Sequence, residues 1–192
     1  MRRTTIPALL VAAALVQGCN GSDDPGTSTS PDSPTTSVSE SGPPSTSAAP
    51  ADVATGLRLT MPNSTVRAPE GWTQATDLTR YEDAADSPDG LSYVVLGEIN
   101  AFGSQASADE LAKNRIKANL YPKAPKVLPV TDLDGTAAYH VAGFVTSQQY
   151  IEEFGTIVRD RIVTVTFSFN NKVPKSERDE VVASVLPTFR WK

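Results

Sequence analysis

Cysteine and histidine are nearly absent, with one of each among 192 residues. A single cysteine excludes an intramolecular disulfide, a cysteine-rich zinc site and a thiol pair for redox exchange. A single histidine leaves a Ser-His-Asp triad only His140 as base, and no Gly-x-Ser-x-Gly motif supplies a nucleophile. The formal net charge is −5 without a dense Lys/Arg tract, so the electrostatic signature of nucleic-acid binding is missing. We therefore expect no enzymatic activity, no cofactor, no metal and no nucleic-acid partner.

The acidic side chains do not form a clear catalytic pair either. Glu152 and Glu153 are neighbours in a predicted strand and point to opposite faces, so they cannot act together as two glycosidase carboxylates do. The other acidic groups cluster in predicted polar loops, where weak calcium binding is the alternative to simple solvation, although no twelve-residue calcium loop is present. They are Asp132 and Asp134 before Gly135, and Glu82, Asp83, Asp86 and Asp89 near a turn at 88–90.

The first residues have the pattern of an export signal. Two arginines precede an apolar run over residues 6–16, which is too short to span a bilayer comfortably. The following Leu15-Val16-Gln17-Gly18-Cys19 resembles a bacterial lipoprotein signal, in which the cysteine receives diacylglycerol and the peptide is cut just before it. The resemblance implies a signal peptide over 1–18 and a lipidated Cys19 that anchors the chain on the extracytoplasmic face of the cell membrane. Ordinary secretory cleavage is the alternative.

Residues 19–54 are predicted to be the lipidated cysteine and a disordered tether. Positions 20–54 hold nine Ser, five Thr and six Pro, no Lys or Arg, and almost no large apolar side chain. Such a segment cannot bury enough surface to offset the entropy of ordering. We interpret it as a spacer, and Ser/Thr glycosylation is compatible with that role.

Residues 55–192 contain every Trp, Tyr and Phe of the chain and are predicted to form one globular domain. Alternation over 163–169 predicts a strand. The segment 91–97 is apolar on both faces, which predicts a central strand covered on both sides. Strand-like runs at 137–146 and 150–159 then complete a three-stranded antiparallel meander with 163–169, whose second turn is predicted at Asp160-Arg161.

Two helices are predicted beside these strands. Ser107 to Glu110 fits a capping box, and apolar residues follow at helical spacing as far as Leu120 and Pro122. A second helix begins after Pro174 and ends at Pro187, with an apolar face of Val181, Val182, Val185 and Leu186.

The order of these segments resembles that of Mog1/PsbP-like domains. It runs from Ala68-Pro69-Glu70-Gly71-Trp72 through a strand at 91–99, a capped helix at 107–120 and Asp134-Gly135-Thr136-Ala137-Ala138 to a helix ending in Val185-Leu186-Pro187-Thr188-Phe189-Arg190. With the lipoprotein signal and tether, the chain is similar to actinobacterial lipoproteins of the LpqN type. The resemblance implies an α+β fold in which helices flank an antiparallel sheet as an α/β/α sandwich. It also implies a non-enzymatic binding role, and it transfers no site residue.

The aromatic residues offer the best functional lead in the sequence. Some can line a groove for an apolar or sugar ligand, and simple core packing is the alternative. His140 lies on the strand face opposite Tyr139, where we expect a structural or solvent-facing role. The candidate aromatics are Trp72, Phe102, Tyr121, Tyr150, Phe154 and Trp191.

Together these patterns predict a membrane-anchored extracytoplasmic lipoprotein that acts as a non-enzymatic accessory module of the cell envelope. In the first interpretation the domain docks on an envelope or membrane protein, which an exposed apolar patch without a deep cavity would favour. In the second it binds or carries an envelope lipid or glycolipid, which a closed apolar pocket with polar groups at its mouth would favour. An envelope hydrolase is a distant third.

Overall fold

The computed structural model describes residues 52–118 and 120–192. The predicted signal peptide (1–18), Cys19 and the tether up to residue 51 lie outside the described residues. The strands are β1 (Arg58–Thr60), β2 (Ser64–Arg67), β3 (Thr73–Gln74), β4 (Glu82–Asp86), β5 (Ser92–Asn100), β6 (Lys126–Leu133), β7 (Thr136–Phe144), β8 (Gln149–Val158), β9 (Arg161–Asn170) and β10 (Arg190–Trp191). The helices are α1 (Ala108–Lys117) and α2 (Lys175–Val185), followed by a 3-10 turn at Leu186–Thr188.

The strands form two antiparallel sheets. The large sheet has seven strands in the order β3-β4-β5-β9-β8-β7-β6, and the small sheet has the order β1-β2-β10. Consecutive strands β6 to β9 are spatial neighbours, so the predicted meander of three strands is confirmed and is extended by β6.

The alternation along β9 sets the two faces of the large sheet. Val163, Val165, Phe167 and Phe169 are all almost completely buried, as their period of two predicts. We call the side to which they point the core face. Cross-strand pairing places Val94 and Leu96 of β5 and Phe154 of β8 on the same face.

The hairpin between β8 and β9 closes one residue earlier than predicted. Val158 pairs with Arg161, so the two-residue turn is Arg159-Asp160 rather than Asp160-Arg161. Both turn residues have positive φ, at 50° and 60°, as a type I′ turn requires. This turn matches the right-handed twist of the strands that it joins.

Helix α1 covers one end of the face opposite the core face. Ser107 caps it as predicted, because its Oγ accepts from the Glu110 backbone N–H at 3.3 Å and Glu110 Oε2 accepts from the Ser107 N–H at 2.8 Å. Its buried Leu111 and Ala112 pack against Tyr139 and Val141 of β7. The helix ends earlier than predicted, at Lys117, and Leu120 is 62% exposed rather than part of the buried stripe.

Helix α2 and the small sheet cover the core face. Val182 and Val185 join the main hydrophobic cluster with Leu59 and Val66 of the small sheet and the phenylalanines of β9. The two helices therefore lie on opposite faces of the large antiparallel sheet. This arrangement confirms the predicted α+β fold of sandwich type.

One segment predicted as a polar loop is instead a strand. Residues 82–86 pair with β5 over their whole length, and Ala84 and Ala85 are buried. Three of the five residues are acidic, so the composition of the segment is typical of a polar loop although its two alanines are buried. No helix among the described residues is long and apolar enough to cross a membrane.

Candidate functional site

Strand β5 is covered on one face only. Val94 and Leu96 are fully buried on the core face, whereas Tyr93 is 38% and Ile99 is 47% exposed on the other face. The prediction of a strand covered on both sides is therefore wrong, because α1 lies mainly over β6, β7 and β8 and leaves this face of β5 partly open. A strand that is apolar on both faces thus presents one apolar face to an open groove.

This groove, which we call the α1 groove, has a volume of about 600 Å³. Its floor is the face of the large sheet opposite the core face, and α1 forms one wall. The volume is within the roughly 300–1,000 Å³ that small-molecule sites occupy. The lining residues are Tyr81, Glu82, Tyr93, Val95, Gly97, Glu98, Ile99, Leu111, Asn114, Arg115, Ala118, Tyr121, Tyr139, Glu153, Ile162, Thr164 and Thr166.

A buried ion pair closes the α1 side of the floor. Glu153 is 1% exposed, and its two oxygens accept from Arg115 Nε and Nη2, each at 2.6 Å. Glu153 also accepts from the Tyr139 hydroxyl at 2.5 Å and from the Thr166 hydroxyl at 3.2 Å. Four donors satisfy a carboxylate, so Glu153 has little acceptor capacity left for a substrate proton.

Arg115 also contacts Tyr121, another residue that lines the groove. Its Nη2 also donates to the Tyr121 hydroxyl at 3.0 Å, and its guanidinium lies 5.3 Å from the centre of the Tyr121 ring. Arg115 is one turn after Leu111 on α1, so both side chains face the sheet. The apolar Leu111 and the cationic Arg115 therefore line the same wall of the groove.

A glycine positions the Tyr139 hydroxyl. Tyr139 pairs with Gly155 across β7 and β8, and its ring lies directly over that glycine. A Cβ at position 155 would lie 2.6 Å from Tyr139 Cε1, which is closer than any ordinary contact. The missing side chain at Gly155 therefore allows the ring to lie flat and reach Glu153.

The pKa directions reflect this dry environment. Burial raises the pKa of Tyr139, and the adjacent Glu153 raises it further. Burial also raises the pKa of Tyr121, against the opposing influence of Arg115. Burial alone would lower the pKa of Arg115, but its hydrogen bond and attraction to Glu153 raise it overall. The Tyr121 and Tyr139 phenols beside the Arg115–Glu153 ion pair are therefore neutral at neutral pH.

Most of the aromatic residues predicted to line a groove lie elsewhere. Only Tyr121 lines the α1 groove, whereas Phe154 is buried in the main core. Trp72, Tyr150 and Trp191 pack against the same core. Phe102 is 90% exposed on a turn.

The aromatic residues of the groove that the sequence did not predict are Tyr81, Tyr93 and Tyr139. Tyr93 alternates with the buried Ser92 and Val94 along β5, which is a signal for the second face of the sheet.

His140 lies on the core face, away from the groove. Its ring stacks on Phe154 with centroids 4.3 Å apart, and its Nε2 is 2.8 Å from Glu152 Oε1. Glu152 and Glu153 indeed point to opposite faces, as predicted, since one contacts His140 and the other Arg115. The lone histidine and the buried carboxylate of the groove therefore do not meet.

The acidic residues proposed as weak calcium ligands are separated. Asp132 Oδ1 accepts from the Gly135 N–H at 2.8 Å and so stabilises the β6–β7 turn. Asp89 accepts from the Ser87 hydroxyl and the Leu91 N–H, which lower its pKa. In residues 52–118 and 120–192, no three Asp, Glu, His or Cys side chains are placed to hold a metal ion.

Comparison with known proteins gives structural likeness only. No protein-family model matches the sequence. No curated protein matches it either. The chain is similar to a cyanobacterial PsbP (CyanoP) from Synechocystis sp. PCC 6803, with 15% identity and a TM-score of 0.42, over 78% of this chain and 100% of that one. It is also similar to a protein from Bacteroides thetaiotaomicron, with 13% identity and a TM-score of 0.43, over 67% of this chain but only 45% of that chain.

A PsbP-like protein is thus among the structures to which this chain is similar. The α+β class rests on the strands and helices of this chain. The relation to actinobacterial lipoproteins of the LpqN type stays a prediction.

Proposed function

We propose that the chain is a lipid-anchored extracytoplasmic binding protein of the cell envelope, related to LpqN-type lipoproteins, and that it holds an apolar ligand, such as an envelope lipid, in the α1 groove. The observation that supports this most is the uncovered face of β5 and β9. Val95, Ile99 and Ile162 line an open groove there instead of packing under a helix. Exposed apolar surface is unfavourable in water unless something binds it.

The proposed role is non-enzymatic. The only histidine contacts Glu152 on the core face, and the buried Glu153 is already satisfied by four donors. A general base must reach the proton that it takes, and neither group is placed to do so in the groove. Cys19 would supply the anchor through its acyl chains.

The experiment compares lipids that co-purify with three forms of the full chain, each exported with its own signal and analysed by mass spectrometry. Val95→Trp places a large ring on the groove floor. Val127→Trp is the matched control, because Val127 pairs with Val141 on the same sheet face but does not line the groove. We expect a stoichiometric lipid with the wild type and with Val127→Trp, and its loss with Val95→Trp. Equal lipid in all three forms, or none in any, would contradict the proposed carrier role.

The anchor is tested separately. Cys19→Ser should move the chain from the membrane fraction to the soluble fraction, and the N-terminal peptide of the wild type should have the mass of an acylated cysteine. An unmodified Cys19 in a mature chain would contradict lipidation.

Protein docking is a second candidate, and Phe102 is the observation that favours it. This side chain is 90% exposed, and its backbone has a φ of 51°. The turn is braced, because the Phe102 N–H donates to Asn100 Oδ1 at 2.5 Å and the Gly103 N–H donates to Asp160 Oδ1 at 2.6 Å. A large aromatic displayed on a hydrogen-bonded turn fits the anchor residue of a protein interface.

A photoreactive amino acid at position 102 tests docking in intact cells. We expect a cross-link to one envelope protein that purified wild-type chain suppresses and purified Phe102→Ala chain does not. Cross-links that both competitors suppress equally would show that Phe102 contributes nothing to docking.

A further inference from the structure

The polar groups of the α1 groove form two sets. The first is the ion pair of Arg115 and Glu153, in which both oxygens of the carboxylate are used. The second consists of neutral groups that line the groove. Tyr121 accepts from Arg115 but donates its own proton to no described residue, and the side chains of Asn114 and Thr164 have no hydrogen-bond partner among the described residues. The neutral groups of this second set are therefore available to hydrogen-bond a ligand.

The cation among the lining residues, Arg115, is already paired with a carboxylate. Arg115 is held by Glu153 at 2.6 Å, and Arg161 lies 3.8 Å from Glu98. Arg80 is outside the lining, where it stacks over the Tyr81 ring at 4.7 Å and donates to the Tyr81 hydroxyl.

The carboxylates are less well matched. The lining residues include three glutamates and one arginine, Arg115, which pairs with Glu153. Glu98 lies 3.8 Å from Arg161. Glu98 also accepts from Asn63, but the partner of Glu82 in the described residues is only the neutral Thr79 hydroxyl. An anionic head group would therefore lose its hydration without gaining an unmatched cation, which is unfavourable.

Polar groups of the α1 side and apolar residues of β5 and β9 occupy different parts of the groove. Asn114, Arg115 and Tyr121 are on the α1 side, whereas Val95, Ile99 and Ile162 extend along β5 and β9 away from that wall. A ligand that fits this division has an apolar chain at one end and an uncharged hydrogen-bonding head at the other.

We infer that the α1 groove selects uncharged single-chain amphiphiles, such as monoacylglycerols, over anionic amphiphiles of the same chain length. This inference rests on the proposed function, because it concerns the head group of a ligand held in the groove. Recognition of the head comes from the Tyr121 hydroxyl and the Asn114 amide on the α1 side. Discrimination comes from the prior neutralisation of Arg115 by Glu153.

The experiment is isothermal titration calorimetry of the full mature chain with Cys19→Ser, at pH 7.5. The probes are monolauroylglycerol and laurate, each below its critical micelle concentration. We expect monolauroylglycerol to bind at least about tenfold more tightly than laurate, which corresponds to about 1.4 kcal/mol. Val95→Trp should abolish binding of both probes, and Val127→Trp should leave both unchanged.

Two charge variants test the cause of the selectivity. Glu153→Gln leaves the charge of Arg115 unmatched, so laurate should gain relative to monolauroylglycerol. Glu153 is buried, so its substitution can also disturb the fold, and Glu82→Gln at an exposed position provides an independent test. This variant removes a negative charge from the groove and should reduce the preference for monolauroylglycerol over laurate.

Each outcome has a distinct meaning. Laurate binding as tightly as monolauroylglycerol in the wild type would overturn the inference while leaving the proposed function intact. An unchanged preference in a folded Glu82→Gln or Glu153→Gln variant would overturn the electrostatic cause. Failure of both probes to bind, or binding that Val95→Trp does not reduce, would overturn the proposed function itself.

Discussion

The Arg115→Ala variant should show how much the ion pair of Arg115 and Glu153 contributes to the stability of the fold. In Arg115→Ala, the carboxylate of Glu153, which is 1% exposed in the wild type, loses two of its four donors, namely Arg115 Nε and Nη2 at 2.6 Å. Breaking a buried pair by removing one partner costs about 3–5 kcal/mol, because an uncompensated charge is left behind. Against a total stability of roughly 5–15 kcal/mol, this is a large fraction. At about 2–4 °C per kcal/mol, the melting temperature should fall by about 6–20 °C.

The assay is equilibrium unfolding in urea, followed by the fluorescence of Trp72 and Trp191, which both pack against the main core and not in the groove. The double variant Arg115→Met with Glu153→Met replaces both charges by apolar side chains. It should be more stable than Arg115→Ala, since it leaves no unpaired charge. Arg115→Lys should be intermediate, because it keeps the charge but loses the bidentate geometry. Two results would contradict this prediction. One is a loss of less than about 1 kcal/mol in the free energy of unfolding of Arg115→Ala, and the other is a double variant that is less stable than Arg115→Ala.

Two further predictions concern the phenol of Tyr139. Its pKa is raised in the folded state, so its contribution to stability is fully present below the unfolded tyrosine pKa of about 10 and is lost as pH rises above that value. The free energy of unfolding should therefore fall by about 1.4 kcal/mol per pH unit above pH 10 because of this group. In urea titrations at pH 8–11.5, Tyr139→Phe should make this dependence on pH less steep. The same slope in both chains would contradict a raised pKa of Tyr139. Gly155→Ala should destabilise by about 1–3 kcal/mol because its Cβ meets the rigid Tyr139 ring at 2.6 Å, whereas Gly97→Ala should cost less, since its Cβ meets only the terminal Thr164 Oγ1, at 2.7 Å. Equal unfolding midpoints for the two alanine variants would show that the ring moves freely.

The parts of the fold that follow from local rules could be predicted from the sequence. The alternation at 163–169 fixes β9, and the capping box at Ser107 fixes the start of α1, because both signals depend only on residues close in the chain. The boundary errors have a similar local origin. Asp160 looks like the start of a turn, but pairing of Val158 with Arg161 places it at the second turn position.

The groove could not be predicted because it depends on where α1 lies. The apolar segment 91–97 gives the same pattern whether a helix covers its second face or leaves it open. Only the position of α1 over β6, β7 and β8 decides between the two. The same holds for Arg115 and Glu153, which are 38 residues apart and belong to elements that no local pattern brings together.

One feature of the sequence nevertheless separates the two cases in retrospect. The groove face of β9 has Thr164 and Thr166 between its buried Val and Phe residues, and β5 has Gly97 opposite Thr164. A helix packed on that face would bury the Thr164 hydroxyl, which has no hydrogen-bond partner among the described residues, and such burial is costly. Small polar residues on the second face of a sheet therefore indicate a face that is wet or bound to a ligand. Here they stand beside Val95 and Ile162, and this mixture of hydroxyl and apolar groups is what an uncharged amphiphile can match.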